Sequence, residues 1–364
     1  MKNNFLNEQY AFLGKTPEKQ DKLTEGLRNI MKNPLSQIIL FTIVMAVVGN
    51  LSLNKVLPYS WLSAFATTFS YSIAAVGFCL LMGYSGLASL GTGGFIGIGT
   101  YSVYYIMAES GLPFLLAVLV AIIVAIVIGA IVGFISLRIE GIYLVILTLG
   151  LSEILRNVYM VLEDKISFTK SPVILGFTIT RQHSLYVVLV FLAIIMWITS
   201  NIINSPTGRA MLAMKNSTAA AQAMGISLIK YRLLAFIICT VCASVSGTLL
   251  MLVVRNAMAS QGTGFYALIT SLNILAAVII GGYKSIWGAV FGSFVMYGLQ
   301  TVVLNNIKFL AENPVIITFV SGILVILVVM FYPGGLAQLM LELKMKLKAL
   351  RKKMREAKYG KDLG

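Results

Sequence analysis

The chain has 364 residues, of which 58% are hydrophobic and only 11% are charged, and its formal net charge is +15. So little polar surface cannot solvate a globular fold of this length, which excludes a soluble protein and favours a polytopic membrane protein. The basic residues crowd into the two terminal parts of the chain beside apolar runs, so we expect anionic membrane lipid, and not nucleic acid, as their partner.

The segment 1–34 is polar and charged, and it lacks the apolar core that precedes the cleavage site of a secretory signal peptide. We therefore expect it to remain in the cytosol. The spacing of Leu23, Leu27 and Ile30 among charged residues predicts an amphipathic helix at the membrane surface. A second basic segment, 336–364, is predicted to be a cytosolic tail.

Residues 35–335 are predicted to form one transmembrane domain. Apolar runs bounded by Gly, Pro or charge predict an all-α polytopic membrane protein with about ten transmembrane helices. The predicted spans are 35–53, 61–82, 92–108, 113–137, 141–162, 184–204, 231–254, 266–281, 285–305 and 314–332. An even number of crossings places both termini on one side, and the many Lys and Arg residues of the tails indicate that this side is the cytosol.

The stretch 83–99 is rich in glycine and also contains Ser85, Ser89 and Thr92. Such a sequence is difficult to maintain as one regular helix. Non-helical backbone at membrane depth persists only where it is buried in protein or lines a wet cavity, because lipid leaves its amides unpaired. We therefore expect a break that lines a route for a solute. The alternative is that the glycines serve close packing between helices.

Two short sequences resemble each other and suggest an internal repeat. Gly91-Thr-Gly-Gly-Phe95 opens the third predicted span, and Gly262-Thr-Gly-Phe-Tyr266 opens the eighth. Because they are five spans apart, the second copy would be inverted in the membrane. Two inverted repeats would place a solute route at their interface near the membrane midplane. The alternative is that both sequences are ordinary glycine-rich turns.

The fifth predicted span contains two charged residues, Glu153 and Arg156, on one helical face. An unpaired charge near the bilayer centre costs about 2.5–3.5 kcal/mol, so we expect the two side chains to pair and to face protein or a cavity. Three roles are open at this point. The pair could be structural, it could contact a zwitterionic substrate, or it could take part in a proton relay.

The segment 205–230 is predicted to be a cytosolic loop with a helix from Ala210 to Met224, ended by Gly225. Small and flexible apolar side chains dominate this helix and gain little from water, which predicts docking into a groove on a cytosolic partner. The alternative is a solvated loop helix. The residues expected on the docking face are Ala219, Ala220, Ala221 and Ala223, anchored by Met211, Met214 and Met224.

The sequence contains no pattern that predicts catalysis or metal binding. Gly14-Lys15-Thr16 lacks the glycine that a phosphate-binding loop carries five positions earlier. Cys79, Cys239 and Cys242 lie within apolar runs and fit small core residues. The single histidine, His183, fits a solvated loop. We expect no catalytic residue, metal, cofactor or ATP site in this chain.

Several motifs of the chain, taken together, are similar to those of one transporter family. They are Gly86-Leu-Ala-Ser-Leu-Gly91, the run Leu137–Gly150 leading into Glu153, Gly208-Arg209 followed by Ala219-Ala220 and Gly225, Gly281-Gly282 through Trp287-Gly288, and Tyr332-Pro-Gly-Gly-Leu336. As a set they resemble the LivM-type permease of branched-chain amino acid ABC importers. The broader family includes nucleoside, pentose and urea permeases.

The resemblance implies a non-catalytic permease subunit of an importer in the bacterial inner membrane. The implied partners are two cytosolic ABC ATPase subunits that hydrolyse ATP, a second permease that is homologous or identical, and an extracytoplasmic solute-binding lipoprotein. The implied ATPase-coupling positions are Gly208, Arg209, Ala219, Ala220, Ala223, Met224 and Gly225. The implied substrate pathway is formed by Ser85, Ser89, Thr92, Tyr143, Thr148, Glu153 and Arg156.

Branched-chain amino acids are the first expectation for the substrate. The loop 168–176 lacks the Thr-Gly-Gly-rich stretch expected of an amino acid member, so nucleosides are the alternative, with pentoses and urea. A different class, a self-contained secondary transporter or channel, would need ion or proton sites within the membrane. Glu153 is the only acidic residue within the predicted spans.

Overall fold

The computed structural model describes residues 33–54, 59–136, 141–167, 172–174, 177–260 and 264–303, with scattered positions from 319 to 345. Its helices are α1 (Pro34–Leu53), α2 (Tyr59–Leu80), α3 (Thr92–Val103), α4 (Phe114–Ser136), α5 (Ile142–Glu163), α6 (Ser184–Asn204), α7 (Pro206–Asn216), α8 (Thr218–Ala223), α9 (Leu228–Val254), α10 (Leu268–Gly281) and α11 (Ile286–Ser293). Three continue as π-helical segments, Leu81–Ser85 after α2, Tyr104–Glu109 after α3 and Phe294–Val303 after α11. The strands are β1 (Lys165–Ser167), β2 (Val173–Ile174), β3 (Phe177–Thr178) and β4 (Asn256–Met258), and β1 pairs with β4 and β2 with β3, both antiparallel.

Six helices of the described part of the chain are long and apolar enough to cross a membrane, namely α1, α2 with its π-helical segment, α4, α5, α6 and α9. This confirms the prediction of a helical, multi-pass membrane protein. Each of the first nine predicted spans coincides with a helix to within a few residues. Of the tenth, 314–332, only scattered positions are described, and the predicted amphipathic segment lies outside the described residues apart from 33 and 34.

Helices α2 and α9 form the centre of the bundle. Their apolar windows are 89% and 78% buried, whereas that of α1 is 17% buried and therefore peripheral. The Ser and Thr hydroxyls of α2 at 63, 67, 68, 70 and 72 suit this position because each donates to a carbonyl one turn earlier in the helix, as Thr68 does to Ala64 O at 2.7 Å. A Cβ at Gly77 would overlap Cys242 of α9, so glycine permits the close approach of the two central helices.

The bundle has two ends that α9 separates. Its 27 residues span about 40 Å, from the loop containing α7 and α8 to strand β4. We call these the loop end (α7 and α8) and the strand end (β1 and β4). At the strand end, pairing of β1 with β4 ties the end of α5 to the end of α9, and Asp164 accepts bonds from the amide and the hydroxyl of Ser260 at 2.7 and 2.9 Å.

Candidate functional site

The glycine-rich stretch does not form one helix. The π-helical segment that follows α2 ends at Ser85. Residues 86–91 are non-helical, and α3 begins at Thr92. Gly86 turns the chain with a φ of +76°, in the left-handed region that favours glycine. The glycines after the break serve packing, because a Cβ at Gly99 would overlap the Ser244 carbonyl of α9. The two sequence interpretations, a break and close packing, therefore apply to successive parts of the stretch.

A cluster of hydroxyls surrounds the start of α3. The first amides of a helix have no partner within the helix, and here they are buried, so each must find an acceptor elsewhere. Side chains of α5, α10 and the break itself accept these bonds. They join Leu90 N to Thr148 Oγ1 (3.0 Å), Gly91 N to Ser89 Oγ (3.2 Å), Gly93 N to Ser271 Oγ (2.8 Å) and Gly94 N to Ser152 Oγ (2.9 Å).

Helices α3 and α10 start side by side at this cluster and run to opposite ends of the bundle. Along α3, Tyr101 donates its hydroxyl to the Glu163 carbonyl, next to the strand end. Along α10, the chain reaches Tyr283, whose carbonyl accepts from Cys79 Sγ at 3.2 Å near the loop end. Helix α10 has 14 residues and is about 21 Å long, too short to cross a hydrocarbon core of about 30 Å. We call this meeting point of two helix N-termini the junction (residues 89–94, 148, 152 and 266–271).

A small cavity of about 10 Å³, with room for about one water molecule, lies beside the junction. It separates the start of α3 from α9, and it is lined by Ser89, Thr92, Phe95, Phe236, Cys239, Thr240 and Ala243. Thr92 is 3% exposed, and its hydroxyl has no hydrogen-bond partner among the described residues. The cavity thus combines one unpaired buried hydroxyl with a mostly apolar wall.

Three tyrosines fill the space between the junction and the strand end. Tyr101 and Tyr159 stack with ring centroids 4.5 Å apart, and Tyr266 packs against both. The Tyr159 hydroxyl donates to Gly94 O at 2.8 Å, and the Tyr266 hydroxyl pairs with Thr100 at 3.0 Å. In this structure the junction is therefore closed toward the strand end.

The structure brings some of the predicted pathway residues together and separates others. Ser89, Thr92 and Thr148 meet at the junction, and Ser85 lies in the π-helical segment of α2 with its hydroxyl on Leu81 O at 2.6 Å. Tyr143 is 69% exposed, on a face of α5 that points away from the bundle.

Glu153 and Arg156 form the predicted ion pair outside the junction. Arg156 Nε lies 3.0 and 3.2 Å from the two carboxylate oxygens, and both side chains are partly exposed. Arg156 Nη1 also lies 3.5 Å from the Ala259 carbonyl, beyond β4. The described contacts connect the pair to the strand end and not to the hydroxyl cluster.

Two junction residues, Ser152 and Ser271, were missed in the sequence. Thr148 and Ser152 are four positions apart, so a pair of hydroxyls on one face of an apolar helix was a usable signal for the first. The charged residue Glu153, next to Ser152, led to the prediction that the adjacent face of α5 lines the pathway. Ser271 lies 178 positions from its partner Gly93, and nothing local in the sequence indicates that contact.

The predicted loop helix from Ala210 to Met224 is wrong as a single element. Ser217 is extended, with φ −157° and ψ 111°, and it divides the segment into α7 and α8. Its hydroxyl accepts from Ala220 N at 3.3 Å and so caps α8. An N-cap serine competes with helix continuation in this way, which an alanine-rich pattern does not reveal.

The loop also corrects the predicted docking face. Met211 and Met214 are buried within this chain, as is Ala221, so these three residues cannot contact a partner. Gly208 is buried too, and a Cβ there would overlap backbone oxygens of α6. Arg209 is exposed and donates to Asn204 O at 3.3 Å. The exposed small or flexible residues of the loop are Ala219, Ala220, Ala223, Met224 and Gly225.

Comparison with known proteins agrees with the sequence motifs. The high-affinity branched-chain amino acid transport system permease protein LivM of Salmonella typhimurium is 27% identical over 248 residues, which are 60% of this chain and 57% of that protein. Its counterpart in Escherichia coli K12 is 26% identical over 259 residues, 63% of this chain and 60% of that protein. The chain thus matches about three fifths of the length of each relative. No solved structure matches the chain significantly.

The family described as branched-chain amino acid transport system / permease component has a model that matches residues 60–329. The matched region begins with α2 and includes the break, the junction and the loop end. It extends over well over half of the 364 residues, and together with the two relatives it confirms the resemblance to LivM-type permeases. The chain therefore belongs to the family of permease components of branched-chain amino acid transport systems.

Proposed function

We propose that this chain is the membrane-spanning permease subunit of an ABC importer that moves branched-chain amino acids into the bacterial cytosol. The observation that carries the proposal is the junction, where two helix N-termini meet inside a bundle beside an unpaired, buried hydroxyl. Helices that begin within a membrane domain and present their N-termini to a midplane site are a recurrent way of binding anionic solute groups in transporters.

The hydroxyl cluster supplies a place for the carboxylate of an amino acid. The Gly93 and Gly94 amides at the start of α3 donate to the Ser271 and Ser152 hydroxyl oxygens, and a carboxylate is a stronger acceptor for the same donors. In the transport cycle the solute carboxylate replaces one or more of these hydroxyls. Thr92, whose hydroxyl has no partner among the described residues, donates to the solute.

The cavity wall supplies a place for an aliphatic side chain. Phe95, Phe236 and Ala243 present apolar surface within reach of Thr92, which is the combination expected of a site for a small amphiphilic solute. A volume of about 10 Å³ is far too small for leucine, so the structure corresponds to a closed route. Solute enters when the tyrosines at the strand end separate from α3, and it leaves when the loop end opens.

The repeated sequences Gly91–Phe95 and Gly262–Tyr266 support two inverted repeats as the basis of this alternating access. Each precedes or opens one of the two helices that diverge from the junction. In the proposed orientation the loop end and both chain termini are cytosolic in the bacterial inner membrane, and the strand end faces the solute-binding lipoprotein. One of the two ABC ATPases seats on the exposed side of α8, and a second permease completes the route.

The experiment that tests this function is purification of the tagged chain from its native membrane in mild detergent. We expect an ATPase and a solute-binding lipoprotein to copurify, and the reconstituted complex to take up leucine when ATP is supplied inside the vesicles. Adenosine uptake in place of leucine would revise the substrate. ATP hydrolysis or gradient-driven uptake by the chain alone would overturn the proposal, since an ABC permease has neither activity.

A further inference from the structure

Lys215, in the last turn of α7, bonds to the end of a helix far away in the sequence. Its Nζ donates to the carbonyls of Met82 at 3.0 Å and Gly83 at 2.9 Å, which are 133 and 132 positions earlier. These carbonyls belong to the π-helical segment where α2 ends, and the last carbonyls of a helix have no partner within it. Lys215 therefore caps α2 from the loop end.

The same ammonium contacts the end of α10. Lys215 Nζ lies 4.4 Å from the ring centroid of Tyr283, in the turn between α10 and α11, which is cation–π distance. The turn is also fixed to α2, because Tyr84 donates to Lys284 O at 3.2 Å. A Cβ at Gly83 would overlap the Tyr283 carbonyl, so only glycine permits the contact. We call Met82, Gly83, Lys215 and Tyr283 the Lys215 hub.

Two segments of the chain connect the hub to the junction. The end of α2 leads through the non-helical residues 86–91 into α3, and α10 leads from Tyr283 back to its own start at the junction. On the other side, α8 with its exposed small residues follows α7 directly after Ser217. Both helices that meet at the junction are thus attached, through one side chain, to the segment that carries α8.

The bonds of Lys215 to the Met82 and Gly83 carbonyls should resist separation of α7 from the end of α2. A partly desolvated ammonium needs its acceptors, because withdrawing them leaves an unpaired charge near buried backbone. Partial burial lowers the pKa of Lys215, and the charge of Lys284 lowers it further. A displacement of α7 therefore moves the end of α2 with it or breaks two charge-assisted hydrogen bonds.

We propose that Lys215 is the positioning residue that transmits movement of the loop end to the break between α2 and α3, and so couples ATP hydrolysis to opening of the junction. This inference rests on the proposed function, because it takes α8 to be the seat of an ATPase. Lys215 was not among the coupling positions expected from the sequence. It contributes through bonds made within the chain, whereas those positions were expected to touch the partner.

The first test measures amide hydrogen exchange of residues 82–91 in the wild type, Lys215→Met and a matched control. Methionine keeps much of the side-chain length but has no donor, so exchange in this segment should rise. The control Lys165→Met removes an exposed lysine of β1 at the strand end and should leave the segment unchanged. Lys215→Arg keeps the charge and can still donate to both carbonyls, so residues 82–91 should recover most of their protection from exchange.

The second test reconstitutes each variant with the copurified ATPases and lipoprotein and measures leucine uptake per ATP hydrolysed. Lys215→Met should reduce this ratio about fivefold or more while ATP hydrolysis continues, a loss in the usual range of allosteric coupling. Lys215→Arg should retain more than half of the ratio. If Lys215→Met fails to assemble, Lys215→Gln is measured in its place, with a reduction in the same direction.

The outcomes separate the inference from the function on which it rests. A coupled wild type with an unchanged ratio in Lys215→Met would overturn the role of Lys215 alone. Raised exchange with a normal ratio would do the same, since the hub would then be only structural. A wild-type chain that recovers no ATPase would overturn the proposed function, and this inference with it.

Discussion

Thr92 is unusual among the buried hydroxyls of the junction because its neighbours have partners and it has none among the described residues. Leaving a buried polar group unsatisfied costs about 1–3 kcal/mol. A threonine at this position is therefore unfavourable for the closed structure, and valine would fill the same space without that loss. Such a group is well explained if it is satisfied at another stage, when a solute is bound.

We predict that Thr92→Val leaves thermal stability in detergent unchanged or raises it by about 1 kcal/mol, while leucine uptake falls at least about tenfold. Ser246→Ala is the matched control. Ser246 of α9 is also buried without a partner among the described residues, but it does not line the cavity. It should show the same effect on stability and no effect on uptake. Normal uptake by Thr92→Val would remove Thr92 from the pathway.

The ion pair of Glu153 and Arg156 gives a second prediction. Glu153→Gln should lower stability by up to about 3 kcal/mol, because it leaves Arg156 without its counter-charge in the membrane domain. The double change of both residues to Gln should recover most of that loss if the pair is structural. Unfolding midpoints of the single and double variants provide the measurement. A stable double variant that no longer transports would instead support contact with the solute.

The sequence indicated which residue types form the junction, but not which residues of other helices contact them. Glycine and hydroxyl content located Ser89 and Thr92, because unusual composition in an apolar span is visible locally. It did not locate Ser271, whose role depends on α10 folding back to the start of α3. It also grouped Tyr143 with the pathway, although the orientation of α5 exposes that side chain, since one helix offers several faces and only its neighbours decide which is buried.

Helices α3 and α9 show how closely two elements approach here. A Cβ at Gly99 would overlap the Ser244 carbonyl, and a Cβ at Gly247 would overlap the Ile96 carbonyl, so each helix presents a glycine to the backbone of the other. In a membrane, where lipid is as apolar as the helix surface, such small-residue contacts are a principal source of helix association. The apposition holds α3 in position beside the cavity.

We predict that Gly99→Ala lowers the free energy of unfolding by about 1–3 kcal/mol, because the added methyl group must push apart two packed backbones. Gly150→Ala provides the comparison within α5. A Cβ there meets nothing within 4 Å, and alanine is a better helix former than glycine by about 1 kcal/mol. It should be neutral or stabilising. Size-exclusion profiles after heating would distinguish the two, and equal behaviour would contradict the packing argument.

The elements were predictable where apolar length alone decides them. Nine of the predicted apolar runs coincide with helices, and six of the described helices are long and apolar enough to cross a membrane, for which about 20 apolar residues are needed. The division of the loop at Ser217 did not follow, because the capping bond of one hydroxyl outweighed an alanine-rich helical pattern. The burial of Met211 and Met214 was not predictable from the sequence either, because it depends on how α7 packs against the other helices.

Among the described residues, the loop end presents an exposed surface that suits the proposed cytosolic partner, formed by Ala219, Ala220, Ala223 and Met224 on and after α8. Small side chains let another protein approach the backbone closely, and an exposed methionine, here 84% accessible, adapts to an apolar groove. The Lys215 hub is adjacent, through α7. In the proposed function, the surface and the hub together would connect the ATPase to the junction.

Ala219→Arg should abolish copurification of the ATPase and ATP-driven uptake, because a bulky charge would sit within the proposed interface. Ala219→Ser keeps the small volume and should preserve both. Membrane insertion and the size-exclusion profile should be normal in either variant, since the residue is exposed. Wild-type uptake by Ala219→Arg would show that the partner contacts another surface.

The bond between Gly93 and Ser271 has a consequence for how the protein is made. At about 5–20 residues per second, the ribosome delivers Ser271 about 10–35 s after Gly93, since 178 positions separate them. Throughout that interval the start of α3 lacks one of its acceptors, and the short α10 that brings it has not been synthesised. Until then one buried amide of the first half has no acceptor, so a pause in translation between these two residues would prolong the life of a polar defect in the membrane domain.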